Sequence, residues 1–600
     1  MKRLISGMLA LGLALTLSFP AAALDSQETL ELLELYYVND IPPEVYQLDS
    51  PEEILEALGD PYTEYLSAQR YAAFMSSVNG QSLVGLGVIV QQEEDGSLRI
   101  QKVLPDSPAQ VAGLEANDRI LSIDGVKITA ETNYLAMLAG EEDTSVILSV
   151  QREGETADYV VIRGAVSVPI VASELVDGVP VIECVSFGDS TAEAFYRALV
   201  EYADQPGAWV VDLRSNGGGS VEASVGAAAW FVGGNRMLVF FRDSDDQYSS
   251  LYSYSYVPDL TDRPAIILTS ENTASGAELF SAALRDHEAA IAVGQRTFGK
   301  GVAQSLLDKE SFPEYFDGDA LKMTTSRFFS PNGSTNDTVG VIPTLVISDK
   351  NAPAAALLLA QGRPKTVKAT LQIALAGQNF FVHLDMATKE EYREAFTELL
   401  EALPPSAVLA TGNNTGNWNP TTPKKLAREY DLDFHSREYS DVTAEHPNAH
   451  AIQTLAALEL LEGGRKFEPD KEVTRGEFFD MVGCALDMDR ALMAKNGLIS
   501  GDGRGMREDT PITYQEMCAA LAKVAGWACM DGFDYNRILP GNEAVAISYP
   551  AFSPWARNAA YVLDQMEALD LTLDPKASAT RGQAAQLLYD TLRASNLLWE

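Results

Sequence analysis

Two short runs, Trp209-Val210-Val211-Asp212-Leu213 and Ala265-Ile266-Ile267-Leu268-Thr269, are apolar almost throughout. A strand that is hydrophobic on both faces must be buried on both faces. In a chain that also carries helices, this means a mostly parallel sheet covered by helices. Each run ends in a loop of small and polar residues ahead of a helical stretch, and open α/β sheets place their sites at such strand ends. Residues from Val179 to about Gly362 are therefore expected to form an α/β core.

At 600 residues the chain is long enough for several such units, roughly three to five at about 150 residues each. From Gln27 to about Asn79 the pattern is helical, with Ser50-Pro51-Glu52-Glu53 as an N-cap and first turn. Between Ser82 and about Gly164 it changes to short alternating strands with glycine turns. There Gly85-Leu86-Gly87-Val88 opens the strand Ile89-Val90, and Ser107-Pro108-Ala109 starts a short helix ending at Gly113. Asp118 to Gly125 reads as a strand and tight turn. Thr366 to about Arg437 mixes helix and strand around an amphipathic stretch from Glu390 to Leu403. Beyond Tyr439 a degenerate repeat appears. Val473-Thr474-Arg475-Gly476-Glu477 recurs as Ile512-Thr513-Tyr514-Gln515-Glu516 and Ala579-Thr580-Arg581-Gly582-Gln583, each opening an apolar helix.

Apolar residues make up 46% of the chain and charged residues 22%, but the net charge is −41. That excess disfavours nucleic acid, whose phosphates must be neutralised by Lys and Arg, and anionic lipid as well. Lys2, Arg3, the apolar stretch Leu4 to Phe19 and Ala21-Ala22-Ala23 read as an export signal cleaved after Ala23, leaving no membrane span. The cysteines Cys184, Cys484, Cys518 and Cys529 show no metal-ligand spacing. Cys184 reads as a buried small hydrophobe, and a disulfide among the other three stays open.

The loop after Thr269 reads Ser270-Glu271-Asn272-Thr273-Ala274-Ser275-Gly276-Ala277-Glu278, with a helix expected from Leu279 to Arg285. A serine at such a strand-to-helix corner can expose its hydroxyl, and the next N–H can face a developing oxyanion. Ser275 could equally be a plain helix N-cap. A serine nucleophile needs a base. The chain has five histidines, His287, His383, His435, His446 and His450. Only His287 falls in the core, in the polar stretch Arg285-Asp286-His287-Glu288. Thr297-Phe298-Gly299-Lys300-Gly301 lies 25 residues beyond Ser275, and a lysine between two glycines can enter a crowded site. A Ser275–Lys300 dyad therefore fits better than a histidine triad, provided the amine is neutral. Gln304 could orient that amine, or be structural.

Together these residues resemble the C-terminal processing (tail-specific) serine peptidases. Thr273 to Glu278 is similar to that family's T-A-S-A-S-E segment, with Gly276 and Ala277 departing from it. Thr297 to Gly301 with Gln304 agrees in full. Asp212 to Gly219 is similar to D-L-R-x-N-P-G-G with Gly217 for proline, and Thr344 stands where the family usually has aspartate. Leu58 to Leu66 and Arg327 to Gly333 extend the resemblance over roughly residues 30 to 360. This resemblance implies a crotonase-like (ClpP/crotonase) α/β peptidase core. The loop, helix and Asp-Gly turn between Ser82 and Gly164 resemble an inserted β-rich PDZ domain, and the motifs beyond Tyr439 resemble three all-α S-layer homology repeats, together a multidomain α/β fold. The divisions are 1–23 signal, 24–81 helical, 82–165 PDZ, 166–362 core and 363–438 small α/β or linker. The repeats occupy 439–600, at about 439–487, 490–526 and 549–595.

The same resemblance implies Ser275, Lys300 and Gln304 as catalytic, with the N–H groups of Gly218 and Gly276 as oxyanion donors. Gly85, Leu86, Gly87 and Val88 would take a peptide C-terminus. Arg475, Arg581 and Trp555 would meet a secondary cell-wall polymer, with the middle repeat in doubt because Tyr514 replaces its arginine. The expected partners are protein tails and wall polymer, without metal or organic cofactor. The expected place is outside the cytoplasm, at the cell wall. Two rivals stay open: a silent, wall-anchored peptide-binding protein on the same fold, and an enzyme acting on thioesters.

Overall fold

The computed structural model describes residues 24–599 except 80–81, 94–95, 105–106, 130–131, 133, 139, 153, 168, 259, 502–504 and 531–547. The expected export signal at 1–23 lies outside the described residues. The chain divides into two compact units. The first takes residues up to Phe74 with 243–247 and 303–326, and the second takes 75–242, 248–302 and 327 onward.

In the first unit, Asp25 and Glu28 form a reciprocal capping box at the start of the helix Ser26–Tyr36. Ser50 caps the helix Pro51–Ala57, as its sequence predicts. The strand Glu64–Leu66 pairs antiparallel with Ala320–Lys322. Leu32, Leu33, Val45, Ile54, Phe316, Leu321 and Met323 form the core.

The second unit is built around a six-stranded sheet ordered Val171–Val176, Val179–Cys184, Trp209–Asp212, Ala265–Thr269, Ala290–Gly294 and Leu345–Val346. The first two strands form an antiparallel hairpin, and the rest run parallel. All five residues of both Ala265–Thr269 and Ala290–Gly294 are buried, which explains why those segments carry no alternation. Helices Thr191–Glu201, Val221–Val232 and Gly276–Asp286 pack through Phe195, Phe231 and Phe280. Thr344 precedes the last strand of this sheet, Leu345–Val346. Its buried hydroxyl accepts the N–H of Ala292, tying two neighbouring strands.

A separate antiparallel sheet holds Val88–Gln92, Leu98–Val103, Arg119–Ile123, Val126–Lys127, Ser145–Arg152 and Glu155–Ile162. Its core contains Ile100, Ile120, Val146 and Leu148. Asp124 and Gly125 both have positive φ, the conformation that a two-residue hairpin turn demands. A further four-stranded antiparallel sheet spans Thr370 to Pro420, with the helix Glu390–Ala402 where amphipathicity predicts it.

Among the described residues from Tyr439 onward the named elements are helices, and isolated bridges join Thr474 with Pro511, Thr513 with Ser578, and Glu472 with Thr580. These link the three recurrent motifs in a ring. Arg475 pairs with Glu516 of the second motif at 2.8 Å, and Arg581 of the third pairs with Glu477 of the first at 3.3 Å. The remaining junction carries Tyr514 and Gln583, both uncharged. All four cysteines are free thiols, and Cys184 is buried, which pushes its thiol up to about 12. No helix among the described residues is long and apolar enough to cross a membrane.

Ile267 is fully buried at the centre of the parallel sheet. Its replacement by alanine is expected to cost about 2–5 kcal/mol. A lowered denaturation midpoint of the full chain checks this, and an unchanged midpoint would contradict the burial.

Candidate active site

Three parallel strands, Trp209–Asp212, Ala265–Thr269 and Ala290–Gly294, deliver their following loops to one place. The middle loop carries Ser275, and the helix Gly276–Asp286 begins directly after it, three residues earlier than its hydrophobic pattern predicts. Ser275 is thus the N-cap residue, at φ 55° and ψ −117°. Positive φ costs a non-glycine residue about 1–3 kcal/mol and persists only where the surroundings over-determine it. They do so here. Ser270 Oγ donates to Arg214 O at 2.6 Å, and Thr273 Oγ1 to Leu213 O at 2.8 Å. Ala274 N donates to Asn216 O at 3.0 Å, and Ser224 Oγ to Gly276 O at 2.6 Å. A sharp strand-to-helix corner of this kind raises a serine hydroxyl out of the backbone, and Ser275 is partly exposed.

The glycine run lies against this corner. A Cβ on Gly218, which has φ 109°, would sit 2.8 Å from Ser275 Cβ and 3.1 Å from Gly276 N. No other residue type fits there. The turn is clamped by buried Asn216, whose Nδ2 donates to Cys184 O at 3.0 Å and whose Oδ1 accepts Gly218 N at 2.8 Å. The N–H of Gly218 is therefore already taken in this arrangement. Gly219 N lies 3.6 Å from where a Gly276 Cβ would be.

Glu278, on the first turn of the serine's helix, is completely buried. Its carboxylate accepts Ser275 N at 2.8 Å, Lys300 N at 2.9 Å, Gly299 N at 2.7 Å and Thr297 Oγ1 at 2.5 Å. One side chain thus gathers the backbone of the candidate nucleophile and of the candidate base. Burial pushes this carboxyl up to about 7, while the hydrogen bonds from Thr297, Lys300, Gly299 and Ser275 pull the other way. Glu278 was not singled out by motif reading. Its signal was present, because Ser275-x-x-Glu278 is a capping-box spacing.

The turn bearing Lys300 needs its glycines for close approach. A Cβ on Gly299, at φ 89°, would fall 2.5 Å from Thr338 O, and one on Gly301 would fall 2.5 Å from Asp337 Cβ. Lys300 itself is half-buried. His287 caps the far end of the serine's helix with its ring bonded to Met237 O at 2.7 Å. Eleven residues of helix separate it from Ser275, about 16 Å. Gln304 lies on the strand Val302–Asp308 in the first unit, where its amide donates to Thr324 Oγ1 at 3.2 Å.

Away from this centre, Gly85 ends the strand Ser82–Gly85, Leu86 and Gly87 form a loop, and Val88 starts the next strand. Leu86 is buried with its carbonyl accepting Ala109 N, and Gly87, at φ 78°, leaves no room for a Cβ beside Ser107. Arg475 is buried and fully engaged: it donates to Met506 O, Ser500 O and Glu516. Arg581 lies over the Phe467 ring and donates to Phe467 O at 2.7 Å. Trp555 is 54% exposed.

Known proteins with similar chains fall into one pattern. Residues 178–347 match peptidase family S41, residues 99–152 a PDZ domain, and residues 438–479 an S-layer homology domain. A "Probable CtpA-like serine protease" of Staphylococcus haemolyticus (strain JCSC1435) is 30% identical over 293 residues, covering 48% of this chain. The chain spans 58% of that relative's length. A protein of the same description from Staphylococcus aureus (strain MRSA252) is 28% identical over 384 residues, 62% of this chain and 74% of its own length. Among solved structures, the photosystem II D1 C-terminal processing protease is 24% identical over 54% of this chain and 92% of its own, with a TM-score of 0.34.

The Glu278 carboxyl predicts a pH effect of definite sign. With an ordinary value of 4.5 and a folded value of about 7, the native chain holds more protons between those limits than the unfolded chain. Its contribution to stability therefore falls as pH rises through that window and is level above it. The stability of the parent relative to Glu278→Gln should drop across it by at most about 1.4 kcal/mol per pH unit. Denaturant titrations of both proteins at several pH values check this, and a difference that rises with pH would refute it.

Proposed function

We propose that this chain, which carries a peptidase family S41 domain, a PDZ domain and an S-layer homology domain, is a serine endopeptidase that cleaves proteins captured by their C-terminal tails. The observation that carries the reading is the buried Glu278 carboxylate, which binds Ser275 N and Lys300 N at 2.8 and 2.9 Å. The anchoring of both backbones on one carboxylate supports reading Ser275 and Lys300 as a reacting pair. The remoteness of His287 leaves that serine without an imidazole partner in this domain.

Lys300 in its neutral form takes the proton of Ser275 Oγ as that oxygen attacks the scissile carbonyl. The tetrahedral oxyanion meets the N–H of Gly276, at the positive end of its helix, and the glycine turn at Gly218 and Gly219. Because Asn216 holds the Gly218 N–H, the turn offers Gly219 N–H in its place unless Gly218 is released. Lys300 passes the proton to the leaving amine, and water hydrolyses the acyl-enzyme. Gln304 orients the amine in the state that carries out the reaction. The core that presents two backbone N–H groups to one carbonyl is of the crotonase-like kind.

The loop Gly85-Leu86-Gly87-Val88 receives the substrate's terminal carboxylate while the tail adds a strand beside Val88–Gln92. The N-terminal 23 residues direct export, and the C-terminal repeats attach the enzyme to a wall polymer. Arg475 and Arg581 each join two repeats, but the Arg581 side chain keeps 21% exposure against 6% for Arg475, so Arg581 and the exposed Trp555 are the polymer-facing residues.

Incubation with an unstructured peptide bearing a free C-terminus tests this. Ser275→Ala and Lys300→Ala should each lower kcat by more than about a thousandfold. Cleavage equal to the parent by Ser275→Ala would overturn the reading. Amidating the peptide's C-terminus should raise KM by about tenfold, the loss of one charged contact worth about 1.4 kcal/mol. An unchanged KM would remove the tail-capture step.

A further inference from the structure

The turn Thr297–Gly301 is gripped on two sides. Glu278 holds one side, and the segment 328–341 holds the other. Phe328 N donates to Gly301 O at 3.0 Å, Thr338 N to Gly299 O at 2.8 Å, and Val341 N to Thr297 Oγ1 at 2.6 Å. These three hydrogen bonds tie the segment 328–341 to the turn that carries Lys300.

That same segment is built into the C-terminal repeats. Thr335 N donates to Ala528 O at 2.8 Å, and Met530 N donates to Gly333 O at 2.6 Å. Ser334 and Cys529 form an antiparallel bridge between them. Val339 and Ile342, 0% and 1% exposed, belong to a hydrophobic cluster otherwise composed of repeat residues such as Leu455, Val482 and Leu521. The neighbour of Thr297 makes the direct link. Arg296 reaches the first repeat, and its Nη2 donates to Ala485 O at 2.8 Å. Ala485 lies in the last turn of the helix Arg475–Leu486, where carbonyls lack intrahelical partners and the dipole favours a cation.

We propose that the C-terminal repeats do more than attach the chain: they position the Lys300 turn, with Arg296 as the positioning residue and the bridged segment Gly333–Thr335 as the second point of hold. A module joined by a flexible tether would make none of these contacts. Backbone pairing, a shared apolar cluster and a half-buried arginine bonded across to Ala485 O instead pack repeat and core together around the turn. This rests on the reading of Ser275 and Lys300 as the reacting pair. A base displaced by even about 1 Å from its nucleophile loses orders of magnitude in rate, so loosening this hold should act on kcat. Binding of the substrate tail, at residues 85–88, should be left as it is.

The test uses the full chain with the same unstructured peptide. Arg296→Ala should lower kcat at least tenfold with KM within twofold of the parent, and Arg296→Lys, which keeps a cationic donor, should recover most of the loss. Gly333→Ala, whose added Cβ meets Met530 Cβ at 3.4 Å and forces a side chain onto φ 79°, should lower kcat selectively too. It serves as the deciding variant if Arg296→Ala folds poorly. Parent-like kcat in both folded variants, with only the melting temperature lowered, would overturn the positioning role. Parent-like cleavage by Ser275→Ala would overturn the dyad reading and this inference together. An inactive Ser275→Ala beside a fully active Arg296→Ala would overturn the inference alone.

Discussion

A carboxylate removed from water is costly unless hydrogen bonds replace its hydration. Glu278 meets that demand with four donors, three of them backbone or side-chain groups of the Thr297–Lys300 turn and one the N–H of Ser275. Most of the centre follows from this. The serine can hold positive φ because its N–H is anchored. The lysine turn can cross over the serine's helix because the carboxylate draws it in. Glycines at 218, 299 and 301 are then required, since each lies where a Cβ would strike a neighbour held in place by the same network.

Much of this arrangement was legible in the residues. Ala265–Thr269 was readable as a buried strand because nothing in it alternates, and the corner at Ser275 was readable because small residues cluster there. Asp124-Gly125 announced its turn through the two residue types that best tolerate positive φ. The parts that escaped depend on pairings between segments far apart in the chain. The family resemblance implies an oxyanion role for Gly218, but only the folded turn reveals that Asn216 already accepts its N–H. For Arg475 a polymer role is implied only by the resemblance of the repeats to S-layer homology modules. Its burial against Glu516 depends on a repeat 41 residues further on. Glu278 had a local signal, the capping-box spacing, but that spacing speaks of helix ends and says nothing of the turn it also binds.

Arg296 illustrates the same limit from another side. In the sequence it is one more cation before a glycine-rich turn. In the fold it sits among carbonyls at a helix end belonging to another module. Local pattern describes which element a residue joins, whereas its partner is set by how elements pack, and this chain assigns roles largely through partners.

The ring of repeat motifs carries charge at two of its three junctions, Arg475 with Glu516 and Arg581 with Glu477. At the third, tyrosine and glutamine stand where an arginine and a glutamate would complete the pattern. That junction thus lacks the arginine–glutamate pair that the other two share. Each motif is therefore keyed to one neighbour, as teeth are cut to one lock. The three copies are not interchangeable parts, and their order along the chain is written into which junction is left uncharged.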